Sequence, residues 1–179
     1  MGMPEGIDLR CSAVVFRQQA VLLIHRTYGG GDEWVLPGGS PLDGESMAAC
    51  ARREVREETG LLVDPSKVAF VLEVTGPHPG PRTVDIVFAA TEHGTKPRPE
   101  IREHGMDPCF VPVDQVRGLD LRPPVAGYLP GMLRSGARRY APYLANLWRP
   151  VNGSAQRGRL PGMDYDPDTA RGNAEENQT

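Results

Sequence analysis

Apolar and polar positions alternate in blocks that mark out strands in the first part of the chain. Cys11 to Phe16 and Ala20 to Ile24 are β-branched and apolar runs, and the polar Arg17, Gln18 and Gln19 between them predict a tight turn joining two strands. Thr27 to Glu33 reads as loop, with Gly29, Gly30 and Gly31 inside it, and Trp34 to Leu36 as a short strand stopped by Pro37, Gly38 and Gly39. From Met47 to Thr59 neither proline nor glycine interrupts the chain. Ser46 stands where a helix N-cap is expected and Gly60 where a C-cap is, so one helix is predicted, with Ala48, Ala51, Val55 and Thr59 on its packing face. Val68 to Val74 and Thr83 to Ala90 predict two more strands, divided by a proline-rich turn from Gly76 to Pro81. Cys109 to Val113 predicts another, followed by a helical turn over Asp114 to Leu119. Val125 to Arg134 reads as a helix interrupted at Pro130, and Tyr140 to Trp148 is apolar without a period that decides its type. From Asn152 onward the chain turns polar and rich in Gly, Asp and Asn, which predicts a domain over 1–150 and a disordered tail over 151–179.

The helix carries a second pattern. Glu54, Glu57 and Glu58 stand at i, i+3 and i+4, which puts three carboxylates on one face, away from the packing face, where like charges repel by roughly 0.2–0.5 kcal/mol per pair. Repulsion concentrated in this way points to a cation, although an acidic run by itself is most often a solvated face. The wider spacing decides between the two. It runs Gly39, five residues, Glu45, seven residues, Arg53-Glu54-Val55, one residue, Glu57-Glu58, one residue, Gly60-Leu61. At ordinary residue frequencies such a pattern arises by chance on the order of once in a billion starting points. In every specified position this stretch resembles the signature box of the Nudix hydrolases, and the strand order around it agrees from Leu9 to Leu119.

The resemblance implies an α+β fold, a mixed sheet sandwiched between helices, with the box folding as loop, helix and loop. It also implies cleavage of the pyrophosphate bond in a nucleoside diphosphate linked to another group, with Mg²⁺ or Mn²⁺ as cofactor. A pyrophosphate is shielded by its own negative charge, which a hard divalent cation offsets while lowering the pKa of a bound water. By motif position the implied metal ligands are Glu54, Glu57, Glu58 and the Gly38 carbonyl. The implied catalytic set is Glu57, Arg53 as the residue that orients it, and Glu103 as base, with Glu100 and Asp107 the other carboxylates of that region. Glu45 is the implied partner of Arg53, and Gly60 closes the helix. Many relatives carry a glutamate three residues after the second glycine, where this chain has Leu42 beside Asp43, so the contacts of that loop are expected to differ.

Pro77, sixteen residues beyond Leu61, resembles the marker of Nudix ADP-ribose pyrophosphatases, but it is one of 18 prolines. Two alternatives therefore stand beside that substrate. One is a nucleoside triphosphate pyrophosphatase of house-cleaning type, and the other is a non-catalytic nucleotide-binding Nudix module. Such modules commonly lose box carboxylates, and none is missing here.

Composition narrows the partners. A length of 179 residues with 39% hydrophobic content supports one domain with a core, and a net charge of −3 supplies no basic field for a nucleic acid polymer. A small-molecule nucleotide is the expected partner, and the resemblance makes a homodimer reasonable. The three cysteines are odd in number, far apart and without a CxxC pair, which fits a reducing cytoplasm better than a disulfide framework or zinc knuckle. Neither a leader nor a run long enough to span a bilayer is evident, so no membrane association is expected. His25, His78, His93 and His104 show no ligand spacing, Arg52 and Arg56 read as solvent residues without a role, and Trp34 reads as a core or rim aromatic that could also stack on a base.

Overall fold

The run Cys11 to Val15 is buried along its whole length. In the computed structural model, which describes residues 6–28, 31–76, 82–94, 105–135 and 142–149, it lies within β1 (Ile7–Arg17). Cys11, Ser12, Ala13, Val14 and Val15 are each at most 1% exposed. Burial on both faces explains why the strand is a continuous run rather than an alternating one. β1 turns through Gln18 and Gln19, with Gln18 in the left-handed region, into β2 (Ala20–Tyr28). β2 pairs antiparallel with β3 (Gly31–Val35), and the two-residue β4 (Gly38–Gly39) then pairs with β1 at Cys11 and Ser12. After α1 (Met47–Thr59), β5 (Val63–Val74) runs antiparallel to β6 (Arg82–Glu92), which lies parallel to β1 from Ile7 opposite Arg82 to Val15 opposite Ala90. β7 (Asp107–Pro112) joins β2, β8 (Leu121–Arg122) joins β3 in parallel, and β9 (Tyr143–Asn146) follows α2 (Leu129–Ser135) and joins β5 in parallel.

The mixed sheet lies between helices. Cys11 clusters with Cys50 and Ala51 of α1, and Ala13 and Val15 cluster with Val55. Val14 belongs to the larger cluster, with Leu72, Val125, Tyr128 and Leu129 at the start of α2. Successive residues of β1 thus feed opposite layers, as the strand period requires. Among the described residues no helix is long and apolar enough to cross a membrane.

Several elements differ from the sequence reading. Much of the stretch read as loop is strand, because the β2–β3 ladder continues from His25 opposite Trp34 to Thr27 opposite Asp32. β5 begins at Val63 rather than Val68, and its register shifts between Pro65 and Lys67, where a proline can be accommodated in an irregular ladder. α2 starts at Leu129, so Pro130 sits in its first turn, where a missing N–H costs nothing, instead of interrupting a helix from Val125. The segment Tyr140 to Trp148 contributes the strand Tyr143–Asn146, and the helical turn after β7 is Val116–Gly118. The turn at 77–81, including Pro77, the loop holding Glu100 and Glu103, and the tail 151–179 lie outside the described residues.

Phe70, 1% exposed on β5, packs with Tyr128 at a ring separation of 6.4 Å. Phe70→Ala is expected to destabilise the protein by about 3–5 kcal/mol, through lost burial and a residual cavity. Urea unfolding should show a lower midpoint at an unchanged slope.

Candidate active site

The box helix is capped at both ends, by a side chain at its start and by the backbone at its close. The Ala49 N–H donates to Ser46 Oγ at 3.2 Å, and Gly60, at φ +75°, donates its N–H to the Arg56 carbonyl at 2.9 Å. Just before the helix, the Leu42 N–H donates to Glu45 Oε2 at 3.0 Å, folding the loop back on the carboxylate that begins the next contact. Arg52 is exposed, as expected, but it has a role: its Nε donates to the Val63 carbonyl at 3.2 Å and its Nη2 to Asp64 Oδ1 at 3.0 Å, which ties α1 to β5. Arg56 is exposed.

Arg53 is the centre of the site. Its Nε and Nη2 donate to the two oxygens of Glu45, each at 2.9 Å, and its Nη1 donates to Glu54 Oε1 at 2.8 Å and Glu57 Oε2 at 2.9 Å. Nη2 also reaches the Ser40 carbonyl at 3.1 Å. One planar guanidinium thereby holds three carboxylates and the loop ahead of the helix, a task that needs its forked donors and not a point charge. These contacts raise the Arg53 pKa further above its ordinary value, the Glu45 hydrogen bonds contributing most. In return, the Arg53 hydrogen bonds, helped by the Leu42 N–H, hold Glu45 down at about 2.

Glu58 occupies a different setting. It is 4% exposed, and its Oε2 accepts the Gly38 N–H at 2.9 Å, while Glu57 keeps a side chain 48% exposed. The expected separation of an acidic face from a packing face is therefore corrected. Buried Cys50 lies one turn before Glu54 and two before Glu57, and Glu58 is buried together with Val55 and Thr59, because the wheel positions of the acids and the packing residues interleave. The Cys50 Sγ lies 3.7 Å from Arg53 Nη2, and burial pushes this thiol up to about 12.

Glycine is required at both loop positions by close approach. A Cβ on Gly39 would lie 2.4 Å from the Glu54 carboxylate, and one on Gly38 would lie 2.5 Å from Ser12 Oγ and 2.6 Å from the Cys11 carbonyl. Glu54 thus lies against Gly39, Glu58 against the Gly38 backbone, and Glu57 against Arg53. Among the described residues no three acidic, histidine or cysteine side chains form a ready-made metal cluster, since Arg53 already draws Glu54 and Glu57 to itself. The donor set is nevertheless all oxygen, which suits a hard cation such as Mg²⁺ or Mn²⁺.

The other candidates are dispersed. Asp107 is exposed at the start of β7 opposite His25, and Trp34 is half-buried with its ring 4.8 Å from that of His25. Glu103 falls outside the described residues. Sequence reasoning missed a cavity of about 390 Å³ lined by Arg10, Leu36, Asp85, Trp148 and Arg149 among others. Its one available signal was Asp85, a lone acid within the otherwise apolar run Val84 to Ala90. Burial raises the Asp85 pKa, opposed by the nearby Arg10 charge and the Ser12 hydrogen bond.

The depressed Glu45 pKa has a consequence for stability. Its ionised form is favoured by folding, so its contribution is complete above the ordinary value of 4.5 and is lost as pH falls toward about 2. In metal-free protein the melting-temperature gap between wild type and Glu45→Gln is expected to be widest near neutral pH. It should narrow steadily between these two values.

Comparison with known proteins identifies the family and the fold. The family model described as NUDIX domain matches residues 8–132. A nucleoside triphosphate pyrophosphatase/Nudix hydrolase fusion protein of Bifidobacterium longum is 34% identical over 87 residues, 48% of this chain and only 17% of that protein. Among solved structures, a NUDIX hydrolase from Nitrosomonas europaea superposes with a TM-score of 0.64 at 21% identity, covering 75% of this chain and 93% of the other. An ADP-ribose pyrophosphatase from Streptococcus suis superposes with a TM-score of 0.58 at 22% identity, covering 78% and 98%. At those identities the structural likeness speaks for the fold. With the family model spanning most of its length, the chain belongs to the Nudix family of hydrolases, which are generally pyrophosphatases that use divalent metal ions.

Proposed function

We propose that this protein is a metal-dependent diphosphohydrolase that cleaves the pyrophosphate bond of a nucleoside diphosphate linked to another group, with ADP-ribose the first candidate. The observation that carries the reading is the Arg53 hub, which holds Glu54 and Glu57 beside the loop that Glu58 ties down through Gly38. Glu54, Glu57, Glu58 and the Gly38 carbonyl are the groups assigned to Mg²⁺ or Mn²⁺. Such a cation, when bound, offsets pyrophosphate charge and lowers the pKa of a water. Arg53 positions Glu57, Glu45 positions Arg53, and Glu103 is assigned as the base that takes the proton from the attacking water. The name of the Streptococcus suis neighbour supports the ADP-ribose candidate, as does Pro77. The name of the Bifidobacterium longum relative supports the triphosphate alternative. The catalytic domain is assigned to 1–150, and its three unpaired thiols suit a cytoplasmic setting.

A panel of nucleoside diphosphate sugars, dinucleotides and nucleoside triphosphates, incubated with Mg²⁺ or Mn²⁺ and resolved by product, tests the proposal. AMP and ribose phosphate from ADP-ribose is the expected result. Monophosphate and pyrophosphate from triphosphates would assign the house-cleaning reaction instead, and no turnover with metal bound would assign a binding module. On the best substrate, Glu57→Gln is expected to lower kcat/KM by about 10²-fold or more. Arg53→Ala should lower it by about 10–100-fold, as loss of a ligand-orienting residue does. Unchanged hydrolysis in Glu57→Gln would remove that residue from the ligand set.

A further inference from the structure

Among the described residues, three buried side-chain polar atoms have no hydrogen-bond partner: Thr75 Oγ1, Asp85 Oδ1 and Arg149 Nε. The last two belong to residues that line the same cavity. Asp85 lies in the middle of β6 opposite Arg10, with a side chain 2% exposed. Its Oδ2 is satisfied, accepting the Ser12 hydroxyl at 2.9 Å and lying 3.7 Å from Arg10 Nε, and its Oδ1 is not. Arg149 donates through Nη2 to Asp120 and to the Leu121 carbonyl, so its fork is fixed while Nε is left over. Buried polar atoms are ordinarily paired, and an orphaned acceptor and an orphaned donor on two residues that line one cavity call for an occupant that supplies both complements.

The cavity's character narrows that occupant. Its volume of about 390 Å³ falls in the range of small-molecule sites. Val35, Leu36, Val74 and Leu147 give it apolar walls, and Pro123 and Trp148 add flat surfaces. Its other arginines are already engaged: Arg26 with Glu33 at 2.7 Å, Arg122 with Asp120 at 3.2 Å, and Arg10 with Ser12 at 3.1 Å. With these cations paired and the Asp85 carboxylate in the wall, the cavity is not a phosphate cradle. It suits a flat, uncharged ring with polar edges. Ser12 connects it to the box, because this residue both donates to Asp85 and stands opposite Gly38 in the β1–β4 pair.

We propose that Asp85 and Arg149 are the specificity-determining pair of this cavity: Asp85 Oδ1 accepts an N–H from the edge of a nucleobase, and Arg149 Nε donates to a carbonyl or ring nitrogen of the same base. The assignment deepens the nucleotide reading given above and rests on it for the identity of the ligand. It makes the base, and not only the pyrophosphate, a requirement for binding. Sites built around buried hydrogen-bonding groups discriminate strongly against ligands that leave those groups unpaired.

The test measures binding without turnover. AMP, GMP, CMP, UMP and ribose 5-phosphate are titrated by calorimetry into the full chain with metal chelated. The preferred monophosphate is expected to bind about 10-fold or more tightly than ribose 5-phosphate. Asp85→Asn, nearly isosteric, places an amide where an acceptor was, and it is expected to weaken the preferred nucleotide by about 10-fold and to change the order among the bases. Arg149→Lys keeps a cation for Asp120 without the Nε donor and should also change the order, which a merely structural role would not do. If Asp85→Asn fails to fold, as judged by its melting curve, Arg149→Lys decides alone. Binding indifferent to the base, or an order unchanged in every folded variant, would overturn the proposal. Base-selective binding without hydrolysis would sustain it while removing the enzymatic reading, and hydrolysis without base selection would do the reverse.

Discussion

The Arg53 guanidinium is the interaction on which the site depends. Glu54 and Glu57 lie within one turn of helix, and Glu45 is folded against the same turn, so the local charge is strongly negative unless a cation is present. Arg53 supplies that cation from within the cluster, and its forked geometry decides how the carboxylates point. Coulomb attraction at these separations is strong only because the contacts are partly removed from water. The Arg53 side chain is 23% exposed and those of Glu45 and Glu54 are 14% exposed. Glu57 is the most exposed of the partners.

A second constraint comes from β1. Because it is buried on both faces, it fixes the helix layer through Cys11, Ala13 and Val15, and the opposite layer through Val14. Ser12 is the polar residue in this run, and its position is the hinge of the arrangement. Its neighbour across the ladder is Gly38, which donates to Glu58, and its hydroxyl serves Asp85 in the cavity. The carboxylate cluster and the cavity are therefore two ends of one short chain of contacts. A nucleotide with its pyrophosphate at the first and its base in the second would engage both.

Legibility followed sequence distance. The box is one continuous stretch from Gly39 to Leu61, and the Ser46 and Gly60 caps and the pairing of Arg53 with Glu45 and Glu57 involve residues at most eight positions apart, so local spacing and the resemblance it supports carry them. The central strands were readable for a related reason, since burial on both faces leaves continuous apolar runs, while the α+β class came with the resemblance of the box. What escaped is long-range. Asp85 meets Ser12 across 73 positions and Arg149 meets Leu121 across 28, and no local pattern announces either contact. Burial of Glu58 also escaped, because a helical wheel reports which residues share a side but not which loop closes over them. Pro130 was misread as a helix breaker because its effect depends on where the helix begins, which tertiary packing of Leu129 decides.

The most direct measurement on the central claim is a Mn²⁺ titration followed by the loss of free-ion electron paramagnetic resonance signal, comparing wild type with a folded Glu54→Gln/Glu58→Gln variant. The account predicts saturable binding in the wild type, weakened by about 10–100-fold or abolished in the variant. Equal binding by the two proteins would contradict the assignment of these carboxylates to a divalent cation.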